Sequence, residues 1–397
     1  MQSDNQAIPI ITKISKRVQY SYLYTLPYII ILLILYYLYR REQNHKRFAK
    51  QGAFFLLLFF IGLRGFVASD YASYYPFFEE LPTLSKLEFN SLYSEGFEFG
   101  FIFYSSIIKT IYPDFFFWVF INTLVDLSVF YWLFQRFSFS VVLSFIIFFA
   151  IQGLGIEFNL YRNTKAMALF LLSIPYLKER KFLPYILLNL GGCLFHLTSF
   201  LYLPMYFILT KKIPKILIWS GFFVVNIMFF LHISMTDWLV ELIAPLLGIE
   251  RMADKVVNYL SNAENYNFSI GYIERTLAFI LFVCLNKQLY VQCEYNRIFS
   301  NCFVLYYLSF YMFTDVMVLA ERVSVLFIFS YWILYPNTLQ LIKRPLNRQL
   351  FLTYIILLCV MKTFTAHSNI MSMYDNLLWG IRSFEERMEI FQTYMTD

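Results

Sequence analysis

Long apolar runs separated by short polar segments recur along almost the whole chain. The runs lie at about residues 20–39, 51–67, 115–134, 138–156, 163–177, 216–233, 272–289, 299–314, 323–341 and 350–364. Most are long enough to cross, or nearly cross, the roughly 30 Å hydrocarbon core of a bilayer as a helix. The pattern predicts an all-α, polytopic helical integral membrane protein with about twelve membrane segments in a single membrane domain, residues 1–397.

Two further apolar stretches fit a complete crossing poorly. Residues 182–209 are too long for one span and too short for two, since each half would reach only about 20 Å. Basic residues flank both ends, which predicts a short helical hairpin with Gly191, Gly192 and His196 near its tip. The run at 99–112 is also short. If it spanned, the basic loops would fall on opposite sides, so a re-entrant or interfacial segment is predicted within an outer loop, residues 68–114.

Composition and charge support the membrane class and exclude nucleic-acid binding. Of the 397 residues, 59% are hydrophobic and only 15% are charged, whereas a soluble domain has roughly 25% charged residues. The net charge of +6 comes from lysines and arginines in short loops, such as residues 40–50 and 178–181. This is the distribution of cytoplasmic loops, not a nucleic-acid-binding surface. Residues 234–271 are predicted to form a large outer loop, and residues 366–397 an outer interfacial tail.

A second set of charged residues is predicted to approach the outer half of the membrane. The rule that places basic loops in the cytoplasm does not explain the positions of these residues. The members of the set are Arg64, Asp70, Glu157, Arg162, His196, Glu274, Arg275, Asp315, Glu321 and Arg322. Some could be ion pairs that lock helices together; as a group they predict a polar cavity. Converging arginines suit a diphosphate, which a guanidinium binds through paired hydrogen bonds. A carboxylate or histidine beside them could act as general base or acid.

Aromatic residues accompany these charges. On a helix, Asp70, Tyr71 and Tyr74 would share one side, which suits a sugar-binding platform, although interfacial tyrosines follow the same pattern. The four histidines are isolated in the sequence, and the chain has no HExxH, phosphate-loop or dinucleotide-binding motif. We therefore expect no metal and no cofactor.

Five short motifs recur in an order that resembles a known family. They are Arg64 before the polar segment, Asp70-Tyr71-x-x-Tyr74 with Phe77 or Phe78, Glu98-Phe99-Gly100, Asn159-x-x-Arg162 with Ala166, and Phe195-His196-x-x-Ser199. The chain is similar here to the EpsG-like branch of the Wzy-type polysaccharide polymerases. One departure is Asn163, at a position where the family often has glutamine.

The resemblance implies a GT-C-like, metal-independent membrane glycosyltransferase of the bacterial cytoplasmic membrane. Its substrate would be an oligosaccharide repeat linked to undecaprenyl diphosphate, polymerised on the outer face into O-antigen, capsule or exopolysaccharide. The lipid bilayer, a chain-length regulator and a flippase of the same pathway are candidate partners. Candidate catalytic residues are His196, Asp70 and Glu157, with His196 favoured as base and Asp70 as the group that orients the acceptor sugar. Candidate substrate-binding residues are Arg64, Tyr71, Tyr74, Asn159, Arg162, Arg275 and Arg322.

Two other functions remain open at this point. A flippase or transporter could present arginines to the same lipid diphosphate, although repeat symmetry or charges facing both leaflets would be expected of it. An O-antigen ligase-type glycosyltransferase would use similar chemistry to transfer finished glycan to another acceptor.

Overall fold

The structure is a computed structural model that describes residues 21–88, 96–233, 235 and 268–396. Within these residues the regular structure is helical, and the β-structure consists of the isolated bridges Arg64–Asn376 and Asn376–Gly380. Most of the proposed outer loop at 234–271 and part of the loop at 68–114 lie outside the described residues. The prediction of an all-α, polytopic membrane fold is confirmed.

The α-helices follow in chain order, with short 3₁₀ turns between some of them. They are α1 (Leu26–Glu42), α2 (Lys46–Gly62), α3 (Tyr71–Glu80), α4 (Phe99–Ile111), α5 (Phe115–Phe137), α6 (Val141–Phe148), α7 (Leu154–Asn159), α8 (Tyr161–Lys178), α9 (Phe182–Cys193), α10 (Met205–Ile208), α11 (Lys215–Leu231), α12 (Ile270–Gln292), α13 (Asn296–Met312), α14 (Met317–Ser324), α15 (Phe329–Leu341), α16 (Pro345–His367) and α17 (Phe384–Thr396). Polar side chains fix several helix starts: Asp114 accepts from Phe117 N–H at 2.7 Å, and Ser140 from Leu143 N–H at 3.1 Å.

Among the described residues, four helical segments are long and apolar enough to cross a membrane. They are Tyr22–Glu42, Phe115–Phe137, Val141–Asn159 and Pro345–His367, and the bent segment formed by Met317–Phe327 and Phe329–Leu341 would be a fifth. Helices α2, α11 and α13 have 17 residues each, which corresponds to about 25 Å of helix. They lie at the lower limit of spanning length, so the count of about twelve membrane segments stays a prediction.

The central element is the segment Val141–Asn159, of which 89% of the most apolar window is buried inside the protein. It packs against α1, α2, α5, α15 and α16. The helix is interrupted at residues 149–153, where Ile151 has φ −114° and ψ 92° and Gln152 has φ +62° and ψ −11°. A Cβ at Gly153 would lie 2.2 Å from Phe148 O, so only glycine fits there. The interruption turns the chain into the short helix α7.

Residues 182–209 form a helix followed by a returning 3₁₀ segment, Leu197–Tyr202, and the turn between them carries His196. Gly192 allows the two arms to meet, because a Cβ there would lie 2.3 Å from Ser199 Oγ. The tip packs against the start of α4, where Gly100 N–H donates to Leu194 O at 2.8 Å. The hairpin tip, the Glu98-Phe99-Gly100 motif and the start of α8 are thereby neighbours.

The segment after α16 folds back onto the protein instead of leaving it. Tyr28 Oη donates to Ser372 O at 2.8 Å, and Gly65 N–H donates to Asp375 O at 2.9 Å. Helix α17 then packs on α3, and Tyr71 Oη donates to the carbonyl of the fully buried Arg387 at 2.7 Å. Residues 370–394 are thus an integral part of this end of the molecule.

Candidate active site

A cleft with two connected lobes lies beside the interruption at residues 149–153. The larger lobe has a volume of about 450 Å³ and is bounded by the interruption, α12, α13, α16 and the tail. The smaller lobe has a volume of about 270 Å³ and extends toward α14. Five residues line both lobes and form their shared wall: Gln152, Gly155, Asn159, Arg275 and Tyr306.

The larger lobe is lined by charged side chains from two facing helices. Helix α12 supplies Glu274 and Arg275, and α16 supplies Lys362. Lys362 Nζ lies 3.1 Å from Glu274 Oε2, and the carboxylate is 5% exposed. The Arg275 guanidinium lies 4.0 Å from the centre of the Phe310 ring and donates from Nε to Tyr306 Oη at 3.0 Å. These contacts hold the guanidinium at the junction of the lobes.

The smaller lobe has a different character. Arg322 and Glu321 supply its charge, and both are exposed. Its remaining wall is largely apolar, with Phe310, Val318, Val325 and Ile328. Together with Arg275 on the shared wall, Arg322 gives this lobe two guanidinium groups beside a hydrocarbon surface.

Asn159 connects the cleft to Asp70. Its Oδ1 accepts from the backbone N–H of Ser69 at 3.2 Å and of Asp70 at 3.3 Å. Burial raises the pKa of the half-buried Asp70 carboxyl to about 6, although Ser69 Oγ donates to it and Arg322 and Arg162 lie near enough to lower the pKa. Asp70 is therefore a carboxyl group that titrates near neutral pH at the mouth of the cleft.

His196 lies in the same neighbourhood, since Glu98, Arg162 and Arg322 all influence its charge. Burial lowers its pKa below the usual 6.5, which favours the neutral ring. Thr198 N–H donates to Nδ1 at 3.2 Å, and Thr198 Oγ1 lies 2.7 Å from the same nitrogen. Because Nδ1 accepts a backbone hydrogen bond, the proton of the neutral ring is on Nε2.

Arg162 binds protein groups at this mouth. Its Nη1 donates to Glu98 Oε2 at 2.7 Å and to Gly96 O at 2.9 Å, and the guanidinium lies 4.8 Å from the centre of the Phe97 ring. Its Nε donates to Tyr74 Oη at 3.4 Å. Two of the sequence motifs, Asn159-x-x-Arg162 and Glu98-Phe99-Gly100, thus meet in one ion pair.

Three of the other predicted site residues lie inside the protein and do not line the cleft. Arg64 is 2% exposed and donates to Ile61 O at 2.5 Å, Glu157 O at 2.8 Å and Tyr161 Oη at 2.5 Å. Glu157 is 3% exposed and Tyr71 is 4% exposed. Of the predicted site residues, the structure places Asn159, Arg275 and Arg322 in the lining of the cleft, and Asp70 beside the lining residue Ser69. Arg162 and His196 lie near Asp70 or Arg322 without lining the cleft, and Tyr74 lies behind Arg162. Arg64, Tyr71 and Glu157 are buried away from the lining.

The sequence analysis missed Gln152 and Lys362 as lining residues. Gln152 had a detectable signal, because it is a polar residue followed by Gly153 and Gly155 within the apolar run 138–156. Lys362 had none, because a lysine near the end of an apolar run is also explained by a position at the membrane interface.

Fold and cleft together define a polytopic helical membrane protein with an internal charged cleft. The family model described as EpsG family matches residues 52–377, and the chain belongs to this family. Membership suggests a glycosyltransferase-type enzyme with a polysaccharide polymerase-like role. Comparison with curated proteins and with solved structures gave no match.

Proposed function

We propose that the protein is a polysaccharide polymerase that joins oligosaccharide repeat units linked to undecaprenyl diphosphate at the outer face of the bacterial cytoplasmic membrane. The observation that carries the proposal is the two-lobed cleft, in which Arg275 and Arg322 line one lobe and Arg322 lies near a titratable carboxyl group, Asp70. In such a cleft the arginines would stabilise a diphosphate leaving group while a nearby carboxylate acts as general base.

The smaller lobe suits the lipid end of the substrate. A diphosphate carries negative charge that guanidinium groups bind through charge-assisted hydrogen bonds, and Arg275 and Arg322 both line this lobe. The apolar wall beside them, which includes Val318, Val325 and Ile328, would contact the first isoprene units. The guanidinium groups supply the positive charge in this proposal, so the reaction is metal-independent.

Asp70 and His196 take complementary roles in the proposed reaction. Asp70, with its pKa near 6, accepts the proton of the acceptor sugar hydroxyl. The hydroxyl oxygen forms a bond to the anomeric carbon of the donor while the bond from that carbon to the diphosphate breaks. Undecaprenyl diphosphate leaves with the electron pair, and the arginines stabilise its charge. His196 presents Nε2–H, which suits a hydrogen bond donated to a sugar or phosphate oxygen.

This assignment exchanges the roles expected from the sequence, in which His196 was the favoured base. The reason is the hydrogen bond from Thr198 N–H, which occupies the Nδ1 lone pair. Glu157 is not given a role, because its buried carboxyl does not line the cleft.

The glycan of a strain that lacks this gene tests the proposal. A polymerase is indicated by a surface glycan of single repeats, restored to full length by the wild-type gene. Absence of surface repeats would indicate a flippase instead, and full-length chains that stay on the lipid would indicate a ligase. A chain-length regulator and a flippase are the proposed partners in the same pathway, so both genes must be intact in that strain.

A further inference from the structure

Gln152 is an unusual residue for its position. It lies inside the most deeply buried membrane segment of the protein, yet its side chain is exposed and lines both lobes of the cleft. Its φ of +62° places it in the left-handed region, which is unfavourable for a non-glycine residue. Glycine would remove that cost, and the chain has glutamine there.

The side chain of Gln152 is available to a ligand. Within the part of the chain that the structure describes, its amide makes no hydrogen bond with protein. Asn159, the other amide on the shared wall, has its Oδ1 occupied by the backbone of Ser69 and Asp70. Gln152 Oε1 lies 3.1 Å from the place that a Cβ on Gly155 would take, so glycine at 155 leaves room for the amide.

The hydrogen-bonding capacity of an amide indicates which chemical group of a ligand Gln152 would contact. An amide offers two donors and one acceptor without charge. A sugar hydroxyl is also both donor and acceptor, whereas the oxygens of a diphosphate only accept and are better matched by the cations Arg275 and Arg322. Strained residues that persist in an otherwise regular element are typical of ligand-binding sites.

We propose that the Gln152 side-chain amide binds a sugar hydroxyl at the junction of the two lobes and orients the glycan relative to the diphosphate held by the arginines. The interruption of the helix at residues 149–153 serves to present this amide. The inference rests on the proposed function and assigns to the cleft a glycan-binding contact that neither the motifs nor the family match supplies.

Binding of two lipids to the wild type and four variants tests this assignment. The purified wild type is compared with Gln152→Gly, Gln152→Asn and Gly155→Ala. The lipids are undecaprenyl diphosphate without sugar and the lipid-linked repeat that accumulates in a strain lacking the polymerase. Binding of each lipid, polymerisation and thermal stability are measured. His232→Gly is the matched control, because His232 also has positive φ, at +51°, and is exposed at the end of α11.

Gln152→Gly relieves the backbone and removes the amide, so its thermal stability should equal or exceed that of the wild type. Its affinity for the lipid-linked repeat and its polymerisation rate should each fall about tenfold, the effect of one lost hydrogen bond. Its affinity for undecaprenyl diphosphate should stay within about twofold. Gln152→Asn tolerates the left-handed region and keeps a shorter amide, so it should recover part of the loss.

Gly155→Ala leaves Gln152 in place but displaces its amide, and it should reproduce part of the loss without lowering stability. His232→Gly should behave as wild type toward both lipids. Wild-type polymerisation by Gln152→Gly, or an equal loss of affinity for both lipids, would overturn the glycan contact alone. A wild-type protein that binds neither lipid would overturn the proposed function and this contact with it.

Discussion

Two groups of charged residues at the same end of this protein differ in their surroundings: one group is buried among protein partners, and the other faces a cavity. The buried charge cluster consists of Arg64, Asp126, Glu157 and Lys165, each less than 5% exposed. Arg64 donates three hydrogen bonds to protein oxygens, and Lys165 Nζ pairs directly with Asp126. The cleft charges, Asp70, Arg275, Arg322 and Lys362, reach a cavity or its mouth and are at least partly exposed.

The difference separates a structural charge from a binding charge. A buried ion that is paired with protein groups holds one arrangement of helices, and removing it leaves its partners unpaired at a large cost. A charge beside a cavity retains capacity for a ligand. In sequence the two groups look alike, because both contain charged residues at the ends of apolar runs.

Among the variants of the two groups, Asp70→Asn should lower the rate of polymerisation most. Removal of a general base typically lowers the rate by about 10²- to 10⁴-fold, and we expect loss of this size in polymerisation by purified protein. Binding of the lipid-linked repeat should be nearly unchanged. Glu80→Gln is the control, because Glu80 is an exposed carboxylate at the end of the same helix, α3. Polymerisation by Asp70→Asn at the rate of this control would remove Asp70 from the proposed chemistry.

Arg322→Gln should weaken binding of undecaprenyl diphosphate by about 10- to 100-fold, as expected for the loss of a charge-assisted hydrogen bond worth about 1.5–3 kcal/mol. Stability should not change, because Arg322 is exposed. Arg275→Lys should bind the lipid more weakly as well, since an ammonium lacks the planar fork. Arg136→Gln is an exposed arginine control at the end of α5. Normal binding by both variants would remove these arginines from the proposed diphosphate site.

The pH profile should report the raised pKa of Asp70. Because the proposed base acts as the carboxylate, kcat/KM should rise about tenfold per pH unit below about pH 6 and level off above it. The effect on stability has the opposite sign. The pKa of Asp70 is about 6 in the folded protein and near 3.8 in the unfolded chain, so the folded protein binds this proton more tightly. The contribution of Asp70 to the free energy of unfolding is therefore largest below about pH 4 and is lost as the pH rises to about 6. A flat activity profile from pH 5 to 7 would contradict the assignment.

Arg64→Lys should have the smallest effect on activity per folded molecule, less than about twofold, although it lowers stability. One ammonium cannot reach Ile61 O, Glu157 O and Tyr161 Oη together, and a buried acceptor left unpaired costs about 1–3 kcal/mol. Thermal unfolding of the purified variant, beside Arg41→Lys at an exposed site, measures this loss. If Arg64→Lys were as stable as wild type but inactive, Arg64 would belong with the cleft charges.

The sequence was sufficient for the fold class, because run length and charge alone identify membrane helices. It also indicated part of the site: Asp70, Arg275 and Arg322 were expected near a polar cavity, and the family resemblance added Asn159. Asn159, Arg275 and Arg322 line the cleft, and Asp70 lies beside it. These residues flank apolar runs on one predicted side of the membrane, which is information that hydropathy contains.

The sequence could not show which charged side chains are buried inside the protein and which face the cleft. Arg64 and Arg322 are both arginines at the ends of apolar runs, and only the tertiary packing buries one and exposes the other. The interruption at Gln152 was also missed, although Gln152, Gly153 and Gly155 break the apolar run. Local propensity favours a continuous helix through such a run, and only tertiary contacts override it. The tail segment was expected to lie on the membrane surface, a position that stays untested, but its bonds to residues 28 and 65 depend on long-range packing.

The position of the tail has a consequence for the order of events during synthesis. Asn369, Met371, Ser372 and Tyr394 line the larger lobe, and all four follow α16 in the chain. The ribosome therefore makes the rest of the lobe before this part of its wall. The charged cleft stays open on one side until the tail has been added. A chain stopped at residue 367 would therefore insert but never assemble the site.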